Sequence, residues 1–228
     1  MFLTAGAVVT VLVIVLAVLV VGRLADRARH TLTAAVGDTR AATVDLVSGA
    51  QSVTVRSGDL GDDLYRIGTP GDAADVPRIA RDGDAVRVSL ESTGDGPGGT
   101  VEILLSDRVT WQVRLSGGAD DVRVDLRGAP FARLDLASGT ASAEVWLPEP
   151  RGTAILEETG GVNRLAIHVP DRAPVRLAVQ GGAGSVTLNG TVHNGVSGGR
   201  SFTTDGWDAA DDRYDIRLVG GVSTVSVA

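Results

Sequence analysis

Leu177 to Gly190 reads LAVQGGAGSVTLNG: two short runs of alternating apolar residues on either side of a Gly-Gly pair. The frame recurs in VRLSGGADDVRVDL (Val113 to Leu126), LDLASGTASAEVWL (Leu134 to Leu147), LEETGGVNRLAIHV (Leu156 to Val169) and IRLVGGVSTVSV (Ile216 to Val227). The second turn residue is Gly118, Gly139, Gly161, Gly182 and Gly221, with successive gaps of 21, 22, 21 and 39 residues. The last gap is nearly two periods, so one unit is expected to be rebuilt between Asn194 and Tyr214. An earlier copy, VDLVSGAQSVTV around Gly49, keeps the frame with Val44, Leu46, Val53 and Val55.

The apolar register is common to all copies. Four residues past the turn glycine stand Val122, Ala143, Leu165, Val186 and Val225, and six past it Val124, Val145, Ile167, Leu188 and Val227. Three before it stand Leu115, Leu136, Val179 and Leu218, with Glu158 the misfit. Side chains two apart in a strand share a face, so these pairs line one core. A repeat of about 21 residues predicts an all-β fold of solenoid-like stacked β repeats. The glycines supply positive φ or close backbone approach at the bends.

GGAGSVTLN (Gly181 to Asn189) nearly fits the calcium nonapeptide G-G-x-G-x-D-x-U-x, but Val186 stands at the metal-binding Asp and the nine-residue period is missing. Calcium takes six to eight oxygen ligands, which a valine cannot offer. The stretch is read as a β bend, and no metal site is assigned.

Outward from the repeats, Phe2 to Gly22 is a 21-residue run without charge, Pro, Asn or Gln. A helix of that length spans about 30 Å, the thickness of a bilayer core. No basic residue precedes the run and no A-x-A site follows, which favours an uncleaved anchor over a signal peptide. Residues 1–22 are therefore expected to form one transmembrane helix. Leu24, Ala28, Leu32 and Val36 have helical spacing, which predicts a juxtamembrane helical linker over 23–40, with the β-repeat domain over 41–228. Arg23, Arg27 and Arg29 follow the run, so the positive-inside rule places the β domain on the cytoplasmic side of the cell membrane.

The net charge of −7 and 4% aromatics argue against a nucleic-acid partner. Without cysteine there is no disulfide, thiol catalysis or Cys-ligated zinc. GVSGG (Gly195 to Gly199) fits G-x-S-x-G, yet RSFTTDGWD follows instead of a helix, and the available bases are His30, His168 and His193. The alternative of a degenerate hydrolase using Ser197 requires a histidine within hydrogen-bond reach. Asp205, Asp208, Asp211, Asp212 and Asp215 have no EF-hand spacing and read as a solvated loop. STGDGPGGT (Ser92 to Thr100) lacks a phosphate-loop Lys and reads as a long hairpin turn. Trp111, Trp146 and Trp207 could form a sugar-stacking face, but in separate repeats they read better as core or rim residues.

WLPEPRGTAILEETGGVNRLAIHVP, APVRLAVQGGAGSVTLNG and DRYDIRLVGGVSTVSV, with their alternating strands and Gly-Gly bends, resemble bacterial adhesin-like domains of unknown function built from toast-rack β repeats. The same architecture occurs in LiaF-like membrane proteins linked to cell-wall stress. The resemblance covers roughly four fifths of the chain and implies a fold, with no catalytic or cofactor-binding residues to carry over. LiaF-like proteins have several membrane helices, whereas one is expected here. The expected function is non-enzymatic: envelope-associated scaffolding or stress-signal modulation through contacts with a protein partner. The alternative is an extracytoplasmic adhesin that binds a cell-wall polymer. Aligned aromatics and carboxylates on a solvent face would favour that alternative.

Overall fold

A computed structural model describes residues 29–94 and 99–228. The expected transmembrane segment and Arg23 to Ala28 lie outside the described residues. Nineteen strands follow in chain order: β1 (Arg29–Ala35), β2 (Ala41–Leu46), β3 (Ala50–Gly58), β4 (Asp63–Pro70), β5 (Asp75–Asp82), β6 (Ala85–Ser92), β7 (Thr100–Ser106), β8 (Thr110–Leu115), β9 (Ala119–Asp125), β10 (Phe131–Leu136), β11 (Thr140–Trp146), β12 (Thr153–Glu158), β13 (Val162–His168), β14 (Val175–Val179), β15 (Ala183–Leu188), β16 (Thr191–Val196), β17 (Arg200–Thr203), β18 (Arg213–Leu218) and β19 (Val222–Val227).

Each repeat is one rung. The strand before the bend enters a nine-stranded sheet, and the strand after it enters a ten-stranded sheet. Rungs pair in parallel with their neighbours, so each bend stacks on the next. The register read from the sequence becomes a literal row: Val53, Val122, Ala143, Leu165, Val225 and Val186 face one another strand by strand. Val124, Val145, Ile167, Leu188 and Val227 form the row beside it, and the members of both rows are buried in one continuous core. Val186 is fully buried and packs in that core.

The sequence order of the rungs is not their spatial order. The ten-stranded sheet runs β1-β4-β7-β3-β9-β11-β13-β19-β15-β16, and the nine-stranded sheet runs β17-β14-β18-β12-β10-β8-β2-β6-β5. The C-terminal rung β18/β19 thus lies between β12/β13 and β14/β15. The segment expected to be rebuilt is β16 and β17, which close that end of the rack in antiparallel fashion. A seventh rung, β6/β7, lies beyond β2/β3. Ser92 and Thr100, the ends of STGDGPGGT, lie in β6 and β7 and so in different sheets, which means that this stretch does not close a hairpin within one sheet.

The linker over 23–40 also needs correction. Arg29–Ala35 is strand β1, antiparallel to β4, so these residues are extended and part of the ten-stranded sheet. Thr31 and Thr33 favour an extended backbone, and β4 offers a free edge. Together these override a helical spacing that rests on four residues.

Candidate functional site

Ser197 lies in the exposed bend between β16 and β17. The glycines around it answer to stacking: a Cβ on Gly198 would sit 2.3 Å from the Gln180 carbonyl oxygen, and the Gly199 N–H donates to the Val179 carbonyl at 2.8 Å. Among the described residues no hydrogen bond joins Ser197 to a histidine. His193 packs its ring 4.6 Å from Phe202. His168 stands at the end of β13, with Nε2 3.3 Å from Glu144 Oε1. The glycines of the G-x-S-x-G match thus answer to rung stacking, while Ser197 and His193 line one surface pocket without a hydrogen bond between them.

The five aspartates of the acidic segment are dispersed. Asp205, Asp208 and Asp211 face solvent, the Gly152 N–H donates to Asp212, and Asp215 points onto the nine-stranded sheet between two arginines. No group of three metal-ligating side chains forms among the described residues.

The three tryptophans have separate roles. Trp111 is buried and donates its Nε1–H to the Ser106 carbonyl at 2.8 Å. Trp207 has the guanidiniums of Arg176 and Arg213 each 4.4 Å from its ring, and donates to the Tyr214 carbonyl. Trp146 stacks on His168 at 5.1 Å and an interplanar angle of 14°, with Arg123 and Arg127 each 5.9 Å from its ring. Sugar stacking needs a free ring face, and these rings already have cations or another ring against them.

What the sequence reading missed is a charged lattice on the solvent face of the nine-stranded sheet. Four residues before the turn glycine stand Asp45, Arg114, Asp135, Glu157, Ala178 and Arg217; six before it, Arg133, Arg176 and Asp215. Arg133 reaches Asp135 at 2.7 Å and Glu157 at 3.0 Å, and Arg217 reaches Glu157 at 3.7 Å and Asp215 at 2.7 Å. Arg176 also grips Asp215 at 2.7 Å, and Arg114 approaches Asp135 at 3.8 Å. Ser116 donates to Asp45 at 2.6 Å and extends the lattice by a strand. Burial alone would push the Asp215 carboxyl up, but its bonds to Arg176 and Arg217 reverse this and hold it below the usual range. The mixture of signs was present in the repeat alignment. Its continuity was not, because Arg217 meets Glu157 only when the last rung takes its place beside β12.

Glu158, the misfit of the sequence register, lies between Leu136 and Leu218 in its row. It is fully buried. One carboxylate oxygen accepts from the Gly161 N–H, and the other has no hydrogen-bond partner among the described residues. Burial raises its pKa, and the bend N–H groups of Gly161 and Gly220 oppose the rise.

No family model matches the chain, and no curated protein does. Its fold is similar to that of a candidate cell adhesion protein from Clostridium sporogenes, with TM-score 0.64 and 11% identity over 88% of this chain and 99% of that one. Weaker matches are candidate adhesins from Bacteroides fragilis (TM-score 0.29, 8% identity, 87% of this chain and 97% of that one) and Parabacteroides distasonis (0.23, 7%, 88% and 97%). The chain thus has the all-β, adhesin-like repeat fold that the sequence resemblance implied.

Proposed function

We propose that this is a non-enzymatic, adhesin-like contact domain, tethered to the cell membrane by Phe2 to Gly22 and acting in envelope scaffolding or stress-signal modulation through a protein partner. The carrying observation is the charged lattice of the nine-stranded sheet. Its carboxylates and guanidiniums are paired with one another across the solvent face of one sheet, which suits recognition by charge better than chemistry on a bound substrate. The polymer-binding alternative draws on the adhesin-like fold, but the engaged faces of Trp146 and Trp207 count against a stacking platform.

The test is complementation of a deletion strain under envelope stress, with protease added to intact cells to establish which side the β domain occupies. Ser197→Ala is expected to restore the response fully. Arg133→Glu with Arg217→Glu, which reverses two cations of the lattice, is expected to abolish it while the protein remains in the membrane. Loss of the response in Ser197→Ala, together with labelling by a serine-directed phosphonate, would replace this reading with the hydrolase.

A further inference from the structure

Four strands end the two sheets among the described residues: β1 and β16 in the ten-stranded sheet, β17 and β5 in the nine-stranded one. An edge strand presents unpaired N–H and C=O groups, and proteins normally guard such edges. β5 carries Pro77 and the charges Arg78, Arg81 and Asp82. β17 is four residues long. β16 contains Gly195 in the left-handed region at φ 60°. β1 is less guarded: it is seven residues, RHTLTAA, without proline, glycine or carboxylate, and its one arginine, Arg29, stands at its first position. Thr31, Leu32 and Thr33 are exposed, and the single irregularity of its ladder is at Ala34/Ala35.

We propose that β1 is a docking edge for β1 of a second copy of this chain, joining two ten-stranded sheets by an antiparallel, two-fold symmetric strand pair. The inference rests on the proposed membrane tether, which helps to decide the occupant. Six residues, Arg23 to Ala28, separate the apolar run from β1. Folding back to cover the edge would take a turn of about two residues and then nearly the length of β1 itself. Six residues cannot do this while also leading into a bilayer. They reach at most about 20 Å when extended, so tethered copies hold their β1 edges at a similar height above one membrane. That confinement raises the effective concentration of one edge for another. A two-fold interface uses the same patch on both partners, which an antiparallel pair of identical strands satisfies.

The chain has no cysteine, so single cysteines report cleanly. The full chain, reconstituted in liposomes and purified by flotation, is oxidised with one cysteine at a time at His30, Thr31, Leu32, Thr33 or Ala34, and at Val192 on the opposite edge as control. Expected is a disulfide-linked dimer that peaks at one β1 position and falls off on both sides, with none at Val192. Thr33→Lys, added to the best cross-linking variant, should abolish the dimer with the thermal midpoint unchanged. Absence of a peak in β1, or equal cross-linking at Val192, would overturn the proposal. If the chain does not float with the liposomes, the tether fails instead. The same cysteine series in solution then decides the edge, and a flat profile there sinks it too.

Discussion

Glu158 and Asp215 are buried carboxylates on neighbouring strands with opposite electrostatic settings. Glu158 has its pKa raised, so the native state holds its proton more tightly than the unfolded chain does. Its contribution to stability is fully present below the unfolded pKa and is lost as pH rises through the folded one. Asp215 has its pKa lowered, so its contribution is present above the unfolded value and is lost as pH falls through the folded one. Glu158→Gln keeps an acceptor for the Gly161 N–H and removes the buried charge. It should raise stability at pH 7 and flatten the decline of stability above the acid range, as read from urea unfolding at several pH values. Asp215→Asn breaks charge-assisted bonds to Arg176 and Arg217 and should cost about 1.5–3 kcal/mol at pH 7, with the difference from wild type shrinking toward acid pH. Glu158 was legible in the sequence as a register misfit. The bond from the Gly161 N–H, three residues on, is local to its own bend, whereas the Gly220 bend reaches Glu158 only through the stacking of adjacent rungs.

At the scale of the element, the bend shows which glycine matters. The sequence frame drew attention to the second turn glycine, but steric demand falls on the first. A Cβ on Gly117 would lie 2.0 Å from the Ser48 carbonyl oxygen, and one on Gly160 would lie 2.1 Å from the Ser138 carbonyl carbon. A Cβ on Gly139 would meet nothing closer than 3.6 Å. Parallel strands sit about 4.8 Å apart, and at these first positions the backbone of the neighbouring bend itself fills the space a Cβ would need. Gly160→Ala should therefore cost about 3 kcal/mol or more, against less than about 1 kcal/mol for Gly139→Ala, both measured by chemical denaturation. A result in which the two are equal would remove the stacking argument. β1 teaches the reverse lesson. Four apolar residues at helical spacing suggested a helix, and the free edge of β4 drew the same residues into a strand.

For the whole molecule, the position of the last rung governs cooperativity. β14 pairs with β17 and β18, and β15 pairs with β16 and β19, so among the described residues β14–β17 join the rack's ladders through β18/β19 alone. Ile216 is fully buried in that rung. Ile216→Ala should cost about 2–5 kcal/mol. In hydrogen exchange, residues 175–203 and 213–227 should lose protection together, while 41–168 remains protected. Separate loss in the two segments would contradict the keystone role of the last rung.

The sequence by itself determined the rung: its period, its bend, the residues that face the core, and Val186 as a core side chain in place of a calcium ligand. These are local properties, set by side-chain alternation within a strand and by small residues at a turn. Tertiary structure decided the order of the rungs, the seventh rung, the strand at Arg29–Ala35 and the continuity of the charged lattice. Parallel rungs of the same register expose equivalent edges, so the apolar pattern fits any stacking order equally well. Only packing of the whole chain, with β16 and β17 closing one end, places the C-terminal rung inside the rack and brings Arg217 beside Glu157.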